Sequence, residues 1–229
     1  MSLVVRKLAS LIALTVALVL PSAARADLLT INLDTTFTGT PPVGTSPFVT
    51  ATFSSDVAGV VSLTITNNLP AGEFIDTFLF NIDPYLHSNL TVLKDGGVAP
   101  SSISKGTNAF GNNNVPGFGF NTSGLFDFQL NFPSPKASRF DGGLSSTYSI
   151  FGGSITAASF NFLSETPGGP YLAAAHVQGI PFLGGTVSGG IGASPMAAVP
   201  EPATALMLGL GLAGSAAAGL RRRRRRAAR

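Results

Sequence analysis

The chain has 229 residues and neither cysteine nor tryptophan, which excludes disulfides, thiolate metal sites and a cysteine nucleophile. Its formal charge is +3, but ten of its fourteen basic residues lie within the first 25 or the last nine positions. Asp27 to Val199 keeps Lys94, Lys105, Lys136 and Arg139 against ten acids, a formal −6, and so offers no basic patch for nucleic acid.

At the N-terminus, Arg6 and Lys7 precede an apolar run of thirteen residues, Leu8 to Leu20, which Pro21 breaks. Ala24 and Ala26 then supply small residues at the positions a signal peptidase reads. The run is short for a bilayer, so residues 1–26 are expected to form a cleavable signal helix rather than an anchor.

From residue 27 to 185 the pattern changes to period two. Leu29, Ile31 and Leu33 alternate with Thr30, Asn32 and Asp34, and Val61, Leu63 and Ile65 with Ser62, Thr64 and Thr66. The cleanest run sets Phe126, Phe128, Leu130 and Phe132 against Asp127, Gln129 and Asn131. Shorter strands are expected at Phe48 to Phe53, Phe74 to Ile82, Asn89 to Leu93, Thr147 to Phe151, Ile155 to Phe162 and Leu172 to Val177. Turn signals separate them at Asn67-Asn68, Asp95-Gly96-Gly97, Asp141-Gly142-Gly143, Gly152-Gly153 and Pro167-Gly168-Gly169. Strands with one dry face bury it by stacking two sheets. The expected fold is therefore all-β, an antiparallel, jelly-roll-like β-sandwich. Thr186 to Val199, rich in Gly, Ala and Pro, is expected as a flexible stalk over 186–199.

Candidate chemistry is sparse. His176 follows three alanines in an expected strand and is expected as a structural imidazole; His87 follows Pro84-Tyr85 and is expected in solvent. Asp34, Asp56, Glu73, Asp76, Asp83, Asp127, Asp141 and Glu165 could supply the carboxylate pair of a glycosidase. Most fall on wet faces or turns. No catalytic, cofactor or metal residue is assigned. Loops rich in Asp and Asn would suit calcium, but no EF-hand spacing is present. Ser101 to Pro116, with Asn108, Phe110 and Asn112 to Asn114, is expected as a polar loop able to touch glycan.

Residues 200–229 open with Pro200-Glu201-Pro202, continue through eighteen uncharged residues from Ala203 to Leu220, and reach Arg221, Arg222, Arg223, Arg224, Arg225 and Arg226. As a transmembrane helix the apolar run spans roughly 27 Å, about the hydrocarbon thickness of a bilayer. Each arginine at the bilayer centre would cost about 2.5–3.5 kcal/mol, so the block stops transfer and holds this end in the cytoplasm. The prolines stiffen the stretch that presents Glu201 outside the membrane. A plain tail anchor needs the helix and arginines but not Pro-Glu-Pro.

That order resembles the PEP-CTERM sorting signal. The resemblance implies cleavage by an exosortase, a membrane-embedded transpeptidase-like protease of exopolysaccharide-producing Gram-negative bacteria. It also implies an inner-membrane-anchored precursor and a product at the cell surface or in the extracellular matrix. The body is similar to that of many secreted PEP-CTERM proteins at Phe74-Ile75-Asp76 through Phe80-Asn81-Ile82, at Arg139-Phe140-Asp141-Gly142-Gly143, and at Ala174-Ala175-His176-Val177-Gln178-Gly179-Ile180. That similarity implies no chemistry. Two functions remain open: a non-enzymatic adhesive or exopolysaccharide-contacting protein, and a small glycan-acting hydrolase. The signal reading predicts an exported form that begins at Asp27; N-terminal sequencing that finds Met1 on the exported product would refute it.

Overall fold

Side-chain alternation sorts the body into two antiparallel sheets that share one apolar interior. The structure is a computed structural model, described for residues 27–87, 89–112 and 122–195. Residues 1–26 with Ala24 and Ala26, the Pro200-Glu201-Pro202 motif, the expected membrane helix, Arg221 to Arg226 and the Asn113 to Pro116 end of the expected loop lie outside the described residues.

The first sheet has five strands. They are β1 (Asp27–Leu33), β3 (Val49–Ser55), β4 (Val60–Asn67), β10 (Ser145–Phe151) and β6 (Thr91–Gly97), in the order β1-β3-β4-β10-β6. The second runs β11 (Glu165–Gly168), β8 (Ser123–Asn131), β5 (Phe74–Phe80), β12 (Ala173–Phe182), β13 (Gly185–Gly192) and β2 (Thr35–Gly39). Also in that sheet, β7 (Ser102–Gly111) pairs with β8 and β9 (Phe140–Asp141) with β5. The β-sandwich expectation holds, with a half-barrel curl. The sheets are unequal, five strands against eight, where a jelly roll divides eight strands between two sheets.

Phenylalanine fills the space between them. The Phe80 and Phe128 rings stack at 4.7 Å, Phe53 and Phe160 at 4.5 Å, and Phe53 meets Phe80 edge-on at 5.7 Å. All four rings are fully buried. Tyr148 is buried with them, its hydroxyl 2.8 Å from Ser146 Oγ, which also donates to the Val98 carbonyl at 2.6 Å. Burial pushes the phenol pKa up to about 12, against a smaller lowering by the Ser146 hydrogen bond.

The outer face of the five-stranded sheet is hydroxyl-rich. Register aligns Asn32, Thr50, Thr66 and Ser145 in one row across four strands, Thr30, Thr52, Thr64 and Thr147 in the next, and Leu28, Ser54, Ser62 and Ser149 in a third. All of these are half-buried or exposed, while their chain neighbours, Asp27 and Leu144 apart, are buried.

The outer face of the eight-stranded sheet carries a second apolar cluster. Leu79, Phe126 and Ala174 are buried there, with Phe37, Phe110 and Tyr171 packed against them. Phe126 leaves the inter-sheet core that Phe128 joins. Opposite these two residues the β7 ladder jumps from Lys105 to Phe110. The extra length of β7 sends the Asn108 amide 2.9 Å from Asp127 Oδ1. Asp127, expected on a wet face, is thereby buried, and also accepts from the Ile82 amide at 3.3 Å.

Four other expectations are corrected. The expected stalk begins with a strand, β13, hydrogen-bonded to β12 and β2. Its glycines serve close packing rather than flexibility: a Cβ on Gly190 would lie 2.5 Å from the Phe37 ring, and one on Gly192 would lie 2.7 Å from that of Tyr171. Ser101 to Pro116 is not a free loop, since Ser102–Gly111 is β7. Asp95-Gly96-Gly97 ends β6 rather than making a turn; Gly97 has φ +71°, and a Cβ there would collide with the Ser145 carbonyl. Ile155 to Phe162 is not a strand. It holds a 3-10 turn, Ala157–Phe160, which lays Phe160 on Phe53.

Phe128→Ala should cost about 3–5 kcal/mol in chemical denaturation. Gln129 points the other way, with Nε2 donating to Asn131 Oδ1 at 2.8 Å, and Gln129→Ala should cost about 0.5 kcal/mol. Equal losses would refute the assigned faces.

Candidate functional site

The three body segments singled out in the sequence become adjacent strands. Phe74 and Ile75 on β5 pair with Asp141 and Phe140 on β9 along one edge, and with Gln178 and Val177 on β12 along the other. The β12–β5 register shifts between His176 and Val177, which pair with Thr77 and Ile75, so Asp76 is itself the bulged, unpaired residue of β5. His176 and Gln178 therefore both reach its carboxylate. His176 Nδ1 lies 2.8 Å from Asp76 Oδ1, and Gln178 Nε2 donates to Asp76 Oδ2. An ionised carboxylate only accepts, so this contact keeps the proton on Nδ1. His176 is buried, in keeping with a structural imidazole. Thr77, its register partner, spends its hydroxyl on Asn131 Oδ1 at 3.4 Å.

Beside this trio, Arg139 Nε lies 2.5 Å from Asp141 Oδ1, and the guanidinium sits 4.5 Å above the Phe74 ring. Ion pairing and cation–π contact hold the side chain flat. Arg139 also lines two neighbouring cavities. One, about 690 Å³, runs along Gly97 to Pro100, Pro133, Ala137 and Gly143 to Ser145. The other, about 440 Å³, includes Lys136, Asp141 and Gly142.

Glu73, expected in a turn or on a wet face, is 1% exposed. Oε1 accepts the Val43 amide at 2.9 Å, while Oε2 is buried without a hydrogen-bond partner among the described residues. Burial raises its pKa above 4.5, partly offset by the Val43 bond. His87, expected in solvent, is half-buried with its ring 5.9 Å from Phe128. Asp83 accepts the Tyr85 amide at 2.9 Å, and Asp34 accepts from Thr35 at 2.9 Å. Among the described residues no three His, Asp or Glu side chains converge as a metal site.

The polar side chains of this junction bond to one another or to the backbone. Asp76 is used by His176 and Gln178, Arg139 by Asp141 and Phe74, and Asp127 by two backbone amides. Sequence reasoning named each of these residues, Gln178 only within the segment Ala174 to Ile180, and did not bring them together. It missed their partners because a bulge, not a motif, brings Asp76 under both side chains.

Glu73 generates a pH prediction. Because folding raises its pKa, its favourable contribution is complete below about pH 4.5 and is lost as pH rises through the folded value. Glu73→Gln keeps an oxygen for the Val43 amide and cannot ionise. Urea denaturation should show wild type losing stability relative to the variant between pH 4 and pH 7. A constant difference across that range would refute the buried ionisation.

Residues 198–225 match the family model of the PEP-CTERM protein-sorting motif. No curated protein and no solved structure matches the chain. The matched segment contains Pro200-Glu201-Pro202, the apolar run and five of the six contiguous arginines. The motif implies an exported protein processed by an exosortase and displayed at the cell surface. The chain thus carries a PEP-CTERM protein-sorting motif at residues 198–225.

Proposed function

We propose that the β-sandwich is a non-enzymatic surface or matrix-associated protein, acting by adhesion or exopolysaccharide contact once an exosortase has released it from an inner-membrane-anchored precursor of a Gram-negative cell. The delivery half of this reading rests on the matched motif. The non-enzymatic half is supported by one observation: the body's half-buried polar cluster is hydrogen-bonded internally, with Asp76 shared by His176 and Gln178 and Arg139 tied to Asp141. A hydrolase of the glycosidase kind needs two carboxylates facing one substrate, one of them an acid with a raised pKa. Glu73 has the raised pKa, but its carboxylate is buried against the Val43 amide. No observation favours the hydrolase. Signal peptidase, exosortase and, before processing, the membrane are the partners of delivery; exopolysaccharide is the partner of the delivered body.

Glu201→Ala tests the delivery route. Insertion depends on apolar length and the arginine block, which the substitution leaves intact. The variant should therefore accumulate as a membrane-bound precursor of larger size on electrophoresis, while wild type is shortened in cells that contain the exosortase. Wild type that keeps its arginine block in those cells would leave a simple tail anchor.

A further inference from the structure

We infer that the outer face of the five-stranded sheet is the polysaccharide-contacting surface, and that its ligand is a neutral chain of sugar rings. This rests on the exopolysaccharide reading above and gives it a site. The central row, Thr30, Thr52, Thr64 and Thr147, crosses β1, β3, β4 and β10 in register. Neighbouring strands lie about 4.8 Å apart, so the row presents a hydroxyl at each such step. Where the row reaches β6 the partner is Gly96, and a Cβ there would come within 3.0 Å of Thr147 Oγ1. None of these four hydroxyls hydrogen-bonds another described residue. Each is half-buried in the plane of its neighbours, so the face has no deep relief.

Three physical features select the ligand. First, a threonine hydroxyl both donates and accepts, as a sugar hydroxyl does, so the two match without charge. β-Branching holds χ1, and little rotamer freedom is lost on contact. Second, none of the fourteen charged side chains between Asp27 and Val199 stands in the three rows. Asp95, at the β6 margin, is held by Ser149 at 2.7 Å. The body's formal −6 repels a polyanion at long range and leaves a neutral polymer unaffected. Third, sheets twist, so a flexible chain can follow successive strands where a flat crystalline plane meets only a few. Contacts that are weak singly add along a polymer that engages several rows together.

The full exported chain is tested by affinity electrophoresis in dextran and in alginate, and by co-sedimentation with amorphous cellulose. Thr52→Val with Thr64→Val removes two hydroxyls and keeps the β-branched shape, while Thr52→Ser with Thr64→Ser keeps the hydroxyls; circular dichroism checks that both fold. Wild type should be retained by a neutral glycan and not by alginate. The valine pair should bind about tenfold more weakly, as expected for two lost hydrogen bonds, and the serine pair should retain binding. Equal binding by wild type and the valine pair would leave the exopolysaccharide reading standing and remove this face from it. Stronger retention by alginate than by either neutral glycan would overturn the neutral-ligand assignment. Failure of wild type on all three probes and on the producing cell's own matrix polysaccharide would overturn both readings together.

Discussion

Stacked phenylalanine rings between two sheets are the constraint on which everything else rests. Phe53 reaches from the five-stranded sheet, Phe80 and Phe128 from the eight-stranded one, and Phe160 from the 3-10 turn that closes one side. Without cysteine, no covalent clamp shares the work. Large flat rings bury much area per residue and gain from offset or edge contacts. They also fix the distance between the sheets, and with it which side of each strand meets water. The hydroxyl rows on one exterior and the charged junction on the other follow from that choice of sides.

The two exteriors differ in how they are finished. The five-stranded sheet leaves its outer face open, with threonine and serine where strands tolerate β-branched and small polar residues. The eight-stranded sheet curls over its own outer face instead. Phe37 on its edge strand meets Tyr171 at 5.1 Å, and together they cover Ala174 and Leu79. Gly190 and Gly192 keep the sheet surface low enough for those rings to lie on it. Burial also raises the Tyr171 pKa. The body is a sandwich with a second, thinner layer of apolar packing on one side.

How much of this could be read beforehand depended on whether a segment announced its period. Val61 to Thr66 and Leu29 to Asp34 alternate cleanly, and their inner and outer faces came out as expected. The run at Phe126 was right for Phe128 and Leu130 and wrong for Phe126, because the lengthened β7 opposite it changes the side on which that ring packs. Thr186 to Val199 is expected as a stalk because glycine normally signals freedom, yet Gly185–Gly192 is a strand. Here the glycines are demanded by rings on neighbouring segments, and one chain read alone does not reveal long-range demands. The same limit hid the Asp76 trio: the residues are a hundred positions apart, and only a bulge brings them together. The sorting segment was legible because its order of stiff, apolar and basic stretches is a local property.

The position of β13 has a mechanical meaning. Any load on the C-terminal segment enters the described body at the point where the chain leaves the sandwich. That exit follows a strand paired on both sides, to β12 and to β2. The last contacts reach past its end: Ala193 exchanges backbone hydrogen bonds with Leu172 and Ala173 at 2.9 Å each, and the Asp34 amide donates to Gly192 at 3.2 Å. A pull along β13 must shear two ladders at once rather than peel a single edge strand from its neighbour. β13 lies one strand in from the edge of its sheet, so a load entering at its end passes to β12 and β2 together.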